Sequence, residues 1–350
     1  MMSCSGRAPG QQDREGETTP MPHHLGTTRR SLAALATLIA GAGAGAAQAQ
    51  PGPGRPGRII VPFAPGAATD LLSRLMAQQL GEAFGAPIVA ENRTGANGGI
   101  AAAYVAHGSK DGTTLLTGTF STHASNPHIY PRTPYDPVAD FAPVTLIATS
   151  PLLLVAPPAL GIADIAGLRA AALARPGMIT AGSGGLGSSQ HLAAALFERA
   201  AGVRLDIVHY SRGFATLLPD LVENRVNLTF GDPLSLLPMV REGRLRPIAI
   251  SAETRSALLP DVPTMAESGL PGATALTWYG LFVAAGTDPA VVNSLSGAAA
   301  AAIRKPEVAA RIRELGGDPV GNTSAEFGAF QRAEFARWGE VIRAAGIRAE

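Results

Sequence analysis

Short β-branched runs alternate with helical patterns along this chain, and no other feature of the 350 residues constrains the fold as strongly. The first run, 58–63, is bounded by Pro and Gly, and apolar side chains at helical spacing follow in 71–80. Strand patterns recur at 87–89, 114–118, 152–155, 179–181, 205–208, 226–230, 247–250 and 278–283, and helical patterns at 99–106, 165–174 and 188–201. This alternation predicts an α/β fold with doubly wound, parallel sheets and right-handed crossovers.

The N-terminal segment 1–49 has the layout of a bacterial export signal. The pair Arg29-Arg30 precedes a mildly apolar run that ends in a small-residue cleavage pattern at Ala49, and this run is short for a membrane span of about 20 residues. The paired arginines favour the twin-arginine route. We expect cleavage near Ala49, with Met21 as an alternative start, a flexible tether over 50–57, and a mature protein that works in the periplasm.

The composition excludes several classes of function. The 28 basic and 27 acidic residues almost cancel, and no dense run of Lys or Arg offers a footprint for nucleic acid or an anionic membrane. The single cysteine, Cys4, lies in the leader, so the mature chain has neither a disulfide nor a thiol nucleophile. The histidines lack zinc spacing. We expect no metal, no cofactor and no nucleic-acid partner.

Three strand-to-helix loops are candidate sites: 65–70, 118–123 and 182–191. In parallel α/β sheets, ligands bind at the carboxyl ends of strands, where the next helix presents unpaired N–H groups. The loop 182–191 is rich in glycine, which lets backbone amides approach a ligand, and Ser188 or Ser189 can cap the helix that follows. A Gly-rich turn that only closes onto a helix would look the same, so this pattern alone does not decide the function.

One enzymatic alternative is a dinucleotide-binding enzyme. Gly182, Gly184 and Gly187 match G-x-G-x-x-G between a predicted strand and a helix, and Asp206 stands near the spacing of a ribose-binding acid. The match is short and lies in the middle of an exported chain, which weakens it.

The other enzymatic alternative is an exported α/β hydrolase. Ser183, His191 and Asp232 are available for a catalytic triad. The nucleophile-turn signature G-x-S-x-G fails, because Ala181 stands where the first Gly is required. Ser183 is therefore interpreted as a hydrogen-bond donor rather than a nucleophile.

Several motifs in order along the chain resemble one family, the Bug (TctC-like) solute receptors of tripartite tricarboxylate transporters. The motifs are 59–70 (IIVPFAPGAATD), 91–99 (ENRTGANGG), 111–116 (DGTTLL) with 126–127 (NP), 135–137 (YDP), 140–144 (DFAPV), 188–193 (SSQHLA), 259–264 (LPDVPT) and 345–347 (AGI). They cover nearly all of the expected mature chain. Linked motifs in order are far more specific than one glycine pattern.

The resemblance implies a type II periplasmic binding protein, with two lobes joined by crossing strands and a ligand cleft between them. It implies lobe 1 over 58–152 and 281–350, and lobe 2 over 153–280. The implied ligand is a small organic carboxylate: a di- or tricarboxylate, an aromatic carboxylate or an acidic amino acid. The implied protein is a monomeric receptor rather than an enzyme, and its partner is a membrane permease of the tripartite tricarboxylate type.

The resemblance also implies the site residues. One lip of the cleft is expected to comprise Phe63, Ala67, Ala68, Thr69 and Asp70, the other Ser183, Gly184, Ser188 and Ser189, with Thr119 and Thr122 lining the cleft between them. In this family the two loops hold one ligand carboxylate largely through backbone amides and ordered water. Asp70 is expected to organise its loop rather than to perform acid–base chemistry.

The chain departs from the family pattern at two places. The usual paired glycines of the first loop are Gly66-Ala67 here, and Ser211-Arg212 replaces a lysine that follows tyrosine directly. Arg212 is expected either to meet a ligand carboxylate or to lie exposed on a loop. Asp232 suits a ligand ammonium group or a helix cap, so the choice between an amino acid and a plain dicarboxylate stays open.

Overall fold

Two β-sheets organise the part of the chain that the computed structural model describes, residues 54–210 and 214–349. The strands are β1 (Gly57–Val61), β2 (Ile88–Asn92), β3 (Thr114–Thr119), β4 (Phe141–Pro151), β5 (Leu153–Ala156), β6 (Thr180–Ser183), β7 (Asp206–His209), β8 (Leu228–Gly231), β9 (Arg246–Ile250), β10 (Leu276–Ala284) and β11 (Asp318–Pro319). The first sheet has the order β11-β4-β10-β3-β1-β2, and the second has the order β7-β6-β8-β5-β9.

The helices connect these strands. They are α1 (Ala68–Phe84), α2 (Gly99–Ala106), α3 (Asn126–Ile129), α4 (Ile165–Ala174), α5 (Ser189–Ala201), α6 (Leu218–Val222), α7 (Pro233–Arg241), α8 (Pro289–Arg304), α9 (Pro306–Glu314) and α10 (Ser324–Ala344). Gly85 and Gly202 end α1 and α5 in the left-handed conformation that glycine adopts without a steric penalty. We call the elements around the first sheet lobe 1 (β1–β4, β10, β11, α1–α3 and α8–α10) and those around the second lobe 2 (β5–β9 and α4–α7).

The predicted α/β fold with two sheets is confirmed, and the parallel pairing expected from the strand–helix alternation holds for the βαβ strands, while each sheet also contains antiparallel pairs. In the first sheet β1 is parallel to β2 and β3, but β10 is antiparallel to β3 and β4. In the second sheet β6 is parallel to β7 and β8, but β5 is antiparallel to β8 and β9. The reversed strands are those that follow a crossing between the lobes. β5 begins at Leu153, directly after β4 ends at Pro151, and runs against β6–β8, whereas β10 returns to the first sheet and runs against β1, β3 and β4.

Three hydrophobic clusters form the core. The largest contains side chains from both sheets, including Leu116, Leu154 and Trp278, together with the α10 residues Phe327 and Trp338. A second cluster packs α1, α8 and α9 on the other face of the first sheet, and a third packs α6 and α7 on the other face of the second sheet. The helices therefore cover both faces of each sheet, as a doubly wound fold requires.

The predicted export signal and residues 50–53 of the predicted tether lie outside the described residues. Within 54–210 and 214–349, no helix is both long and apolar enough to cross a membrane. The residue bounds given above for the two lobes stay a prediction.

Candidate ligand site

The first loop, 65–70, is organised by Asp70. Its side chain is 2% exposed, and its carboxylate accepts hydrogen bonds from Gly66 N–H at 2.9 Å, from Asn92 Nδ2 at 2.9 Å and from Arg74 Nε at 3.0 Å. Burial acts to raise the pKa of Asp70, but the hydrogen bonds from Arg74, Gly66 and Asn92 outweigh it and lower the pKa below its ordinary value of 3.8. This ionised carboxylate is fully engaged within the protein.

The loop delivers the chain into α1 without a side-chain cap. The residue before the helix is Ala67, which has no side-chain acceptor for the first-turn N–H groups. The first N–H groups of any α-helix have no partner within the helix, and a helix of 17 residues adds the positive end of its dipole. The N–H groups of Ala68 and Thr69 therefore offer an anion-binding position, and both residues lie in the predicted lip.

The Gly/Ser loop, 183–188, delivers the chain from β6 into α5. Ser188 is the cap, because its Oγ accepts a hydrogen bond from His191 N–H at 3.3 Å. Gly185 and Gly187 have φ angles of +134° and +75°, which side-chain-bearing residues rarely adopt. The N–H groups of Ser189 and Gln190, in the first turn of α5, have no intrahelical acceptor and form a second anion-binding position.

The segment 97–98 lies between these two loops. A Cβ on Gly98 would lie 2.7 Å from Thr122 Cγ2, 3.0 Å from Pro62 Cβ and 3.6 Å from Phe63 Cζ. On its other side, Asn97 Nδ2 donates to the carbonyl oxygen of Leu186 at 3.4 Å. Segment 97–98 thus contacts residues 62–63, which directly precede the first loop, the turn after β3 and the Gly/Ser loop, so it links the chain segments that lead into α1 and α5.

Thr119 and Thr122 hold the turn after β3. Thr122 Oγ1 accepts a hydrogen bond from Thr119 N–H at 2.9 Å and lies 2.8 Å from His123 Nδ1. Both threonine side chains are buried. Their hydroxyl groups serve the turn, and the carbonyl oxygen of Thr122 accepts a hydrogen bond from the Tyr135 hydroxyl at 2.8 Å.

Asp232 does not cap a helix, although it stands at the N-cap position of α7. Its Oδ1 instead accepts a hydrogen bond from the Tyr279 hydroxyl at 3.3 Å. Burial raises the pKa of Asp232 to about 6, and the Tyr279 hydrogen bond only partly opposes this shift. Because the Cα of Tyr279 pairs with that of Thr119, this hydrogen bond connects Asp232 to the strand residue opposite the end of β3.

The hydrolase triad is not assembled. Ser183 Oγ lies 2.6 Å from His209 Nδ1, whereas His191 Nδ1 accepts a hydrogen bond from Gly187 N–H at 3.1 Å. Burial, and secondarily the nearby His209, lower the pKa of His191 to about 4. Asp232 bonds to Tyr279 instead of a histidine, and no carboxylate orients either ring within the described residues. The predicted triad is not formed because β6 and β7, in parallel register, place Ser183 beside His209 instead of His191.

The dinucleotide alternative also fails on geometry. Asp206 pairs with Thr180 at the start of β7, whereas the glycine loop follows Ser183 at the other end of β6. Three residues of strand separate the two ends, a distance of roughly 10 Å. Gly182 is needed for packing, since a Cβ there would collide with the side chain of Leu217.

The remaining predicted residues divide as follows. Ala67, Ala68 and Thr69 lie on the first loop, which Phe63 precedes, and Gly184 and Ser188 lie on the Gly/Ser loop, which Ser189 follows as the first residue of α5. Arg212 lies outside the described residues. Sequence reasoning missed four residues that organise this region: Asn97, Ser125, His209 and Tyr279. Pairing β6 with β7 in parallel register would have placed His209 beside Ser183 and so identified it. The positions of the other three residues depend on contacts between distant segments.

Comparisons with known proteins agree with this architecture. The family model "Tripartite tricarboxylate transporter family receptor", TctC, matches residues 72–347. Protein BugT of Bordetella pertussis is 34% identical over 295 residues, which cover 84% of this chain and 90% of BugT.

Two solved structures are similar over most of this chain. An R. palustris protein with adipate has 37% identity and a TM-score of 0.79, with 84% of this chain and 99% of that chain covered. MatC from Rhodopseudomonas palustris with bound malate has 32% identity and a TM-score of 0.75, with 82% of this chain and 99% of that chain covered. With its two sheets, its paired loops and this family match, the chain belongs to the TctC family of tripartite tricarboxylate transporter receptors.

Proposed function

We propose that this protein is a periplasmic receptor that binds a small organic carboxylate and delivers it to a membrane permease. The observation that carries the proposal is that segment 97–98 contacts the chain on both sides: Pro62 and Phe63, which lead into α1, and Leu186, which leads into α5. We infer from these contacts that the N-termini of α1 and α5 face one region. Helix N-termini present unpaired N–H groups and a positive dipole end, so they bind anions without a cationic side chain.

The relatives support a carboxylate rather than another anion. Adipate and malate, the ligands of the two similar structures, are both dicarboxylates. We propose that one ligand carboxylate binds the N–H groups of Ala68, Thr69, Ser189 and Gln190. Export of the chain with cleavage near Ala49, and action as a monomer without enzymatic turnover, belong to the same proposal.

The class of carboxylate depends on Asp232. Its charge repels a second ligand carboxylate and attracts an ammonium group. Because its pKa is about 6, the side chain loses most of its charge below that pH. Dicarboxylates should therefore bind more tightly at about pH 5 than at pH 8, whereas an acidic amino acid that contacts Asp232 should bind more tightly at pH 8.

A thermal-shift screen of the mature protein tests the proposal. The panel contains adipate, malate, aspartate, glutamate and benzoate, with NAD and a p-nitrophenyl ester as probes of the enzymatic alternatives. A bound ligand at 100 times its Kd stabilises the protein by about 2.7 kcal/mol, which is a clear shift in melting temperature. Stabilisation by one or more carboxylates is expected. Stabilisation by NAD alone, or turnover of the ester, would contradict the proposal.

A further inference from the structure

The Gly/Ser loop of lobe 2 is bound to lobe 1 through its carbonyl groups. We propose that Ser125 and Asn97 are positioning residues that hold this loop against lobe 1 before any ligand arrives. We call Ser125, Asn97 and the carbonyl groups of Leu186 and Gly187 the interlobe latch.

The stronger contact of the latch is a buried hydrogen bond. Ser125 Oγ donates to the carbonyl oxygen of Gly187 at 2.7 Å, and Ser125 is 0% exposed. The same hydroxyl lies 3.3 Å from the carbonyl oxygen of Ser121 on its own turn, which is the longer and weaker of its two contacts. Because Ser125 follows β3 and Gly187 follows β6, this bond joins the two lobes.

The second contact depends on a residue in the left-handed conformation, Asn97. Asn97 adopts a φ of +48°, and it exchanges two hydrogen bonds with Asn126: Asn97 Nδ2 donates to Asn126 Oδ1 at 2.9 Å, and Asn126 Nδ2 donates to the carbonyl oxygen of Asn97 at 3.0 Å. Asparagine adopts the left-handed backbone more readily than other side-chain-bearing residues. Here the exchange with Asn126 also directs the Asn97 amide toward Leu186.

Packing reinforces the two hydrogen bonds. Gly187 has a φ of +75°, and a Cβ there would lie 2.5 Å from Ile129 Cδ1 and 3.7 Å from Ser125 Oγ. Lobe 1 therefore contacts the backbone of the loop closely, and a side chain at this position would require Ile129 to move and would strain the backbone.

The latch uses groups that an anionic ligand does not need. Carbonyl oxygens repel a carboxylate, so engaging those of Leu186 and Gly187 with lobe 1 leaves the N–H groups of Ser189 and Gln190 for the cleft. We call the protein closed when the latch contacts are made and open when they are broken. The consequence for affinity rests on the proposed function: when only the closed form binds the ligand, the apparent Kd for the ligand rises as the fraction of closed molecules falls. Closure itself does not depend on the identity of the ligand.

Interlobe distances in the ligand-free protein test the latch. The mature chain contains no cysteine, so spin labels can be attached at Gln78→Cys in α1 and Ala170→Cys in α4, both exposed positions. Ser125→Ala removes one hydrogen bond and should raise the ratio of open to closed molecules about two- to tenfold. Asn97→Ala should also raise the ratio of open to closed molecules, and it replaces Ser125→Ala as the test variant if Ser125→Ala folds poorly.

The matched control is Ser324→Ala. Ser324 Oγ also donates to a main-chain carbonyl oxygen at 2.7 Å, that of Pro143, but both residues belong to lobe 1. This variant should melt lower yet keep the wild-type distance distribution. The latch is refuted if Ser125→Ala and Asn97→Ala give the wild-type distribution, or if the ligand-free wild type is already open. No ligand is present, so this outcome is independent of whether any carboxylate binds.

Discussion

Replacing Asp232 by asparagine should stabilise the protein at alkaline pH. The amide has the shape of the carboxylate and can still accept the hydrogen bond from Tyr279, but it cannot ionise. In the folded protein the pKa of Asp232 is about 6, against 3.8 for an unperturbed aspartate. Ionising Asp232 in the folded state is therefore costly.

The sign and size follow from proton linkage. Between about pH 4 and pH 6 the folded protein keeps the proton and the unfolded chain has lost it, so the free energy of unfolding falls as the pH rises. Two pKa units correspond to about 3 kcal/mol, which is the upper limit of the cost above pH 6. Asp232→Asn should thus equal the wild type at about pH 4 and exceed its free energy of unfolding by up to about 3 kcal/mol at pH 8.

Urea unfolding of both proteins at a series of pH values, without ligand, measures this difference. Tyr279→Phe is the companion variant, because losing the hydrogen bond should raise the pKa of Asp232 further and move the fall in stability to higher pH. A constant difference between Asp232→Asn and wild type across the series would refute the argument. So would a variant that is less stable than wild type at pH 8.

Three further predictions concern the loops and the buried histidines. Ser188→Ala should lose about 0.5–1.5 kcal/mol of affinity for the best ligand of the screen, and Gly184→Val should lose more affinity than that, as measured by calorimetric titration. Negligible losses of affinity in both variants would show that the Gly/Ser loop is not part of the site. Asp70→Asn should keep much of the affinity, whereas Asp70→Ala should lose affinity and roughly 0.5–2 kcal/mol of stability; the reverse order would contradict an organising role. Burial lowers the pKa of His123 to about 3 and that of His191 to about 4, so stability should fall as the pH drops below about 6.5, by about 3 kcal/mol for each histidine near pH 4. His123→Gln should remove part of that fall in acid unfolding curves; an unchanged pH dependence would contradict this origin.

Local signals predicted the helices well. The structure has α2 at Gly99–Ala106 and α4 at Ile165–Ala174, the predicted ranges, and α5 begins one residue after its predicted start because Ser188 serves as the cap. In each case the helix ends where a capping residue, a glycine or a change in periodicity interrupts the chain, and these signals are local.

Pairings and contacts between segments that are distant in the sequence were not predicted. The strand pattern read from the sequence did not include 141–151, a segment that contains Pro143 and Pro151. This segment nevertheless pairs with β10 over its whole length, and at each of two register shifts β4 has one residue more than β10. The contacts of Ser125 with Gly187 and of Tyr279 with Asp232 join residues 62 and 47 positions apart. Nothing in local periodicity encodes such pairs, because they depend on how the lobes meet.

The most direct test of the account follows backbone amides during ligand binding. In ¹⁵N-labelled mature protein, saturation with the best carboxylate of the screen should move the amide proton signals of Ala68, Thr69, Ser189 and Gln190 downfield, because each gains a charge-assisted hydrogen bond. The amide of Gly66 should move less, since it already donates to Asp70. Large shifts confined to other parts of the molecule, with these four amides unchanged, would contradict the claim that two helix N-termini hold the ligand carboxylate.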